Sequence, residues 1–201
     1  MRVLRWLIAA IPLLLFACNV KDYNKVDLYS EFHRVQAVIE IPAGTSHHIQ
    51  YCGMTRRFNF LTGKEDANST RFLPFPFNIG FIPSTMQMEN SNGSGQNLDV
   101  LILSETLQTG NIIEILPIGI INVKKEYSTS RWIVAVPYDK VIRVVSAENL
   151  ADLNSQYAGI VRIIEEWLCY TDPSQKTEIL SWQDEVMAMK FIQTMAVNYN
   201  N

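Results

Sequence analysis

Short runs of branched apolar residues, each halted by proline or glycine, fill the chain from Val35 to Pro137. Such a pattern leaves room for little except a small, strongly curved sheet. The run 35–41 alternates and ends at Pro42-Ala43-Gly44, and residues 57–61 predict a second strand. Residues 63–69 are polar and loop-like, and the stretch 72–83 is punctuated by prolines. The stretch 89–97, with Asn90-Ser91-Asn92-Gly93-Ser94-Gly95 at its centre, predicts the longest loop. Residues 98–103, 112–116, 119–123 and 132–136 are further short strands. The period then changes. Tyr157, Ile160, Val161, Ile164, Trp167 and Leu168 recur at helical spacing, and residues 177–181 predict a last strand. Ser181-Trp182-Gln183-Asp184 has the form of a capping box with Asp in the acidic slot, ahead of a helix with Ala188, Ile192, Met195 and Tyr199 on one face. Many short strands followed by helix, strand and helix predict an α+β fold around a small barrel. There is no internal repeat.

The N-terminus has another composition. Arg2 and Arg5 precede an apolar stretch, 7–16, which is short for a bilayer span, and Leu15-Phe16-Ala17-Cys18 follows. This resembles the signal and lipobox of bacterial lipoproteins, in which the cysteine is acylated and becomes the new N-terminus. The resemblance implies a signal peptide at 1–17, a lipidated Cys18, and a polar tether through residue 34 ahead of a domain at 35–201. It also implies a membrane partner, through two or three acyl chains, and an exported location anchored in a bacterial cell envelope. Of 17 basic residues, loss of Arg2 and Arg5 leaves 15 against 20 acidic ones. That balance excludes a nucleic-acid partner bound by neutralising phosphates.

Cys52 and Cys169 remain, as a disulfide of an exported domain or as two separate thiols. His47 and His48 are neighbours, so on a strand they would point to opposite faces and could not share a metal.

Several segments, in order, resemble the soluble family I inorganic pyrophosphatases. They are Val38-Ile39-Glu40-Ile41-Pro42-Ala43-Gly44-Thr45, then Phe75-Pro76-Phe77-Asn78-Ile79-Gly80-Phe81-Ile82-Pro83, Leu98-Asp99-Val100-Leu101 and Leu116-Pro117-Ile118-Gly119-Ile120. Ile133-Val134-Ala135-Val136-Pro137 and a closing helix beginning near Ser181-Trp182 complete the series. The resemblance implies a five-stranded OB-type closed β-barrel with flanking helices. It further implies hydrolysis of pyrophosphate with several Mg²⁺ ions, since metals must both form the attacking hydroxide and neutralise a polyanion.

The chemistry that the resemblance implies is largely replaced. Where the family carries Asp-x-Asp-Pro-x-Asp, this chain has Ser94, Gln96 and Asp99, and only the last is a carboxylate. The second acidic segment, of two Asp and a Lys, aligns with Lys125, Ser130 and Trp132. The phosphate-holding Lys and Glu become His48 and Gln50, and the following Arg becomes Thr62. Two tyrosines become Phe75 and Ile79, and a helical Tyr-Lys pair becomes Trp167 and Leu168. Glu40 and Asp99 are the charged positions retained, Asp99 as a vestigial metal ligand.

Two function classes follow. One is a pyrophosphatase fold without turnover, needing no cofactor, with the former pocket closed or holding a protein or apolar ligand. Its outer surface would then serve binding, scaffolding or homo-oligomer formation. The other is an active Mg²⁺-dependent diphosphatase in which Glu89, Glu126 or Asp66 rebuilds the metal site.

Overall fold

The computed structural model describes residues 21–61, 73–88, 95–125, 128–170 and 176–197. Eight strands are present: β1 (Val35–Ile41), β2 (Ile49–Cys52), β3 (Arg57–Phe60), β4 (Asn78–Met88), β5 (Gly95–Ile102), β6 (Ile112–Lys125), β7 (Ser128–Pro137) and β8 (Thr177–Asp184). Three helices follow the barrel strands or close the chain: α1 (Leu150–Gln156), α2 (Ala158–Tyr170) and α3 (Glu185–Met195). The pairing order β1-β4-β5-β7-β6 returns to β1 through a β1–β6 ladder, so five strands hydrogen-bond in a ring. β8 extends β6 outside that ring, and β2 and β3 form a separate hairpin. All ladders of the main sheet are antiparallel except β5–β7.

Alternate residues of the central strands serve two cores. Val100, Ile102, Ile133 and Ala135 pack with Ile39, Ile82 and the α3 residues Ala188 and Ile192. Their neighbours Leu101, Leu103, Val134 and Val136 pack with Leu153 of α1 and Ile164 and Leu168 of α2. Burial on both faces explains why these strands read as unbroken apolar runs rather than alternating ones.

Strand ends differ from expectation where side chains substitute for the ladder. Pro83 does not end β4. Ser84 adopts φ 52°, and the Thr85 hydroxyl donates to Ile82 O at 2.5 Å and accepts the Leu98 amide at 3.0 Å. The strand bends there and resumes at Gln87, opposite Gln96. The expected loop therefore shortens, since β5 already starts at Gly95. β6 likewise runs through Pro117, absorbing it as a register shift before Gly119, and joins two expected strands into one. Gly80 is required by close approach: a Cβ there would lie 2.0 Å from Val38 O on β1.

Two further corrections concern the C-terminal part. The helix expected over 157–168 is α2, and a helix that was not expected, α1, precedes it, the two divided at Tyr157 (φ −130°, ψ 36°). Ser181 is not a helix cap. Ser181 and Trp182 pair with Asn122 and Ile121 in the β6–β8 ladder, so β8 continues to Asp184. The Asp184 carboxylate then accepts the Met187 amide at 2.9 Å as the cap of α3.

The stretch expected as a polar tether is folded onto the barrel from its first described residue. Tyr23–Lys25 makes a short 3-10 turn, and the Tyr23 ring lies edge-on to Tyr51 and Phe58 at 5.3 and 5.0 Å. The Tyr51 hydroxyl accepts from the Tyr23 amide at 3.0 Å and donates to the Asp22 carboxylate at 3.2 Å. Leu28 is buried, and its carbonyl accepts the Gln36 amide at 2.9 Å. Composition marked this stretch as polar, but a few aromatic contacts suffice to dock it. The signal peptide and Cys18 lie outside the described residues.

Candidate functional site

Two adjoining cavities open between β1, β4, β5 and the β2–β3 hairpin, and four residues line both: Glu40, Gln50, Gln96 and Asp99. The first, of about 210 Å³, is polar, with Asn24, Asn97, Thr85 and the Gly53 backbone in its wall. The second, of about 230 Å³, is faced by Phe75, Ile79, Val123, Trp132, Trp167 and Leu168, with His48, Lys125 and Thr177 beside them.

Glu40 reaches this place through a bulge. The β1–β4 register shifts between Ile39 and Ile41, so the residue between them leaves the alternation that buries its neighbours. Its carboxylate accepts the Tyr51 amide at 2.7 Å, which ties β1 to the β2–β3 hairpin. Burial pushes the Glu40 carboxyl up to about 8, and the charge of Asp99 adds to this against the Tyr51 hydrogen bond. At neutral pH Glu40 is therefore mostly uncharged. Asp99 sits on β5 opposite Phe81 of β4, between the fully buried Leu98 and Val100. Alternation turns it toward the cavities while its neighbours enter the core.

The apolar side is built on aromatic contact. Trp167 of α2 packs against Phe75 and Phe77 with ring centroids at 5.1 and 5.0 Å, and His48 is edge-on to Phe75 at 6.1 Å. The polar side is bordered by the chain's own N-terminal segment. Asn97 Nδ2 donates to Asn24 Oδ1 at 2.7 Å, and the Ser84 hydroxyl donates to Val26 O at 2.8 Å.

This geometry agrees with what known proteins show. A family model for inorganic pyrophosphatase matches residues 37–200. The inorganic pyrophosphatase of Sulfolobus acidocaldarius is 31% identical over 164 residues, which is 79% of this chain and 87% of that protein. The chain belongs to the inorganic pyrophosphatase family. The Neisseria meningitidis serogroup A pyrophosphatase is 29% identical over 170 residues, 83% of this chain and 89% of that one. Among solved structures, an inorganic pyrophosphatase from Neisseria gonorrhoeae superposes with a TM-score of 0.71 at 26% identity, covering 87% of this chain and 96% of its own. The Thermus thermophilus enzyme gives 0.73 at 18% identity, with 87% and 97% covered, and so speaks to the fold alone.

Within this pyrophosphatase fold, most positions singled out from sequence converge. His48, Gln50, Phe75, Ile79, Gln96, Lys125, Trp132, Trp167 and Leu168 line the second cavity together with Glu40 and Asp99. Ser130 is not among its lining residues, and its hydroxyl is buried without a hydrogen-bond partner among the described residues. Thr62 and Ser94 lie outside the described residues, as do Glu89, Glu126 and Asp66. Sequence reading missed the polar cavity's Asn24, Tyr51, Thr85 and Asn97. Nothing in the local sequence ties Asn24 to Asn97, 73 positions away.

The described donors do not fit the Mg²⁺ cluster that the resemblance implies. Mg²⁺ asks for oxygen ligands in octahedral array. Here two carboxylates meet two amides and an ammonium. No three groups of the metal-binding types gather anywhere among the described residues. Cys52 and Cys169 are separate free thiols, not a bridge. Hydrogen bonds from Thr55 hold the Cys52 thiol below its usual range, whereas burial pushes that of Cys169 up.

Proposed function

We propose that this pyrophosphatase-family protein does not turn over pyrophosphate and instead uses its former catalytic cavity for binding. The reading rests on one observation: the shared wall of the two cavities carries Gln96 where the family places its catalytic carboxylate, beside Asp99 and facing Lys125. An amide side chain cannot take a proton from water, and an ammonium in the cavity repels a divalent ion. Catalytic groups that act as a unit fail together, so a missing base and missing metal ligands leave far less than a weakened enzyme. The test is phosphate release by the purified protein with Mg²⁺ or Mn²⁺. Turnover below about 10⁻³ per second supports the reading, set against the roughly 1–10³ per second of ordinary enzymes. Metal-dependent turnover near one per second, abolished by Asp99→Asn, overturns it in favour of a rebuilt metal site.

The same proposal places the protein in the cell envelope on a lipid at Cys18, supported by the basic and apolar leader and Leu15-Phe16-Ala17-Cys18. Lys21 is already seated at the barrel, its carbonyl 3.5 Å from the Tyr51 hydroxyl. Three residues reach at most about 10 Å. A lipid on Cys18 would thus hold the domain against the bilayer rather than on a long leash. Normal processing and membrane retention of Cys18→Ser would refute the anchor.

A further inference from the structure

We propose that the apolar cavity binds an elongated organic monoanion, with its carboxylate at Lys125, a flat apolar body along Trp132 and Trp167, and a hydrogen-bond donor at its far end for Asp99. The proposal rests on the binding role argued above and names the ligand class.

Strand register sets the order of groups along the cavity. Val100 pairs with Ile133, which places Asp99 beside Trp132 across the parallel β5–β7 ladder. Trp132 pairs in turn with Ile121 of β6, and Lys125 lies four residues further along β6, opposite Thr177. Asp99, Trp132 and Lys125 therefore form an acceptor, an aromatic surface and a cation in sequence. Two strand spacings of about 4.8 Å and four residues of about 3.3 Å separate the backbone ends by on the order of 15 Å. The reach of the lysine side chain reduces this to a ligand of roughly 8–10 Å.

Lys125 gives the sign of the head group. It is half-buried, and it makes no ion pair or hydrogen bond among the described residues. An ammonium at the edge of the cavity with no carboxylate partner among the described residues attracts an anion by its charge. Lys124, by contrast, is exposed on the opposite face. The Asp99 charge repels an anion at the other end, so a monoanion binds in one orientation only. An anion of higher charge, such as pyrophosphate, meets a single ammonium among the described lining residues.

The probe is p-hydroxyphenylpropionate, titrated against the full-length protein in detergent by tryptophan fluorescence and by thermal shift. Phenylpropionate, tyramine and pyrophosphate serve as comparisons. Saturable binding is expected, weakened at least tenfold by Lys125→Gln. Phenylpropionate, which lacks the donor, should bind several-fold more weakly, and Asp99→Ala, which removes the acceptor, should erase that difference. An unchanged melting temperature of Lys125→Gln without probe shows that the variant is folded. Tyramine binding as tightly as the acid, binding indifferent to Lys125→Gln, or no saturation at millimolar probe would each overturn the proposal. Phosphate release is scored separately. A protein that binds the probe and also hydrolyses pyrophosphate refutes the inactive reading while keeping this site, and one that does neither refutes the site alone.

Discussion

The two cavities share a wall yet were altered in opposite ways. The polar one is bordered on its outer side by a segment of its own chain, held through Tyr23, Asn24 and Val26 by hydrogen bonds and ring edges. The apolar one is lined from within by aromatic and aliphatic side chains where the resemblance places phosphate-holding groups, with Lys125 and Thr177 beside them. The difference lies in what each cavity's surroundings can offer. α2 is anchored by Ile164 and Leu168 in the core and brings Trp167 with it. Among the described residues no α-helix lines the polar side, which depends on a strap.

The β1–β4 junction beside Glu40 should be the least tolerant element. Gly80→Ala would force β1 and β4 apart, since the new Cβ meets Val38 O at 2.0 Å. Loss of more than about 3 kcal/mol is expected, read as loss of a cooperative denaturant transition. A stable, unshifted variant would mean that the two strands are not held as described.

Next come the two coverings. Trp167→Ala removes a ring packed between Phe75 and Phe77, and about 3 kcal/mol should be lost. Tyr23→Ala removes the ring edges against Tyr51 and Phe58 but keeps the backbone amide that donates to the Tyr51 hydroxyl, and about 1–2 kcal/mol should be lost. Equal losses in urea denaturation would erase the distinction between a wall and a strap.

Glu40 belongs to both cavities and gives a smaller, pH-dependent effect. Its folded value of about 8 lies above the ordinary 4.5, so the folded state holds the proton more tightly than the unfolded one. Its contribution is present in full below about 4.5, declines as pH rises through about 8, and is flat beyond. The melting temperature should therefore fall across that window, by roughly 2–4 °C for each kcal/mol lost. Glu40→Gln keeps an acceptor for the Tyr51 amide and should flatten this part of the curve. An unchanged slope would mean that the carboxyl is not desolvated between the cavities.

The smallest effect touches no stability at all. Cys52 borders the polar side and Cys169 follows Leu168 on the apolar side. The lowered Cys52 thiol should alkylate roughly tenfold faster near pH 7.5, as read by peptide mass spectrometry. Faster labelling of Cys169 would reverse the assigned environments.

Much of this was legible before any coordinates. Strand-length apolar runs with proline and glycine stops specified the barrel, because burial on both faces admits little else. Ordered motif segments located Glu40, Asp99 and nine replaced positions that meet in one cavity. Less legible were features that depend on a distant partner. Whether Pro83 ends a strand depended on the hydroxyl of Thr85, and Ser181 lost the role of cap because β6 offered it a ladder. The docking of Asp22–Val26 needed Tyr51, Ser84 and Asn97 brought alongside it. By itself the sequence determined which side chains were available and which strands they rode on, since local period and sterics act over a few residues. The tertiary structure decided which of them face the polar cavity and which the apolar one, because that depends on contacts between segments that no local pattern encodes.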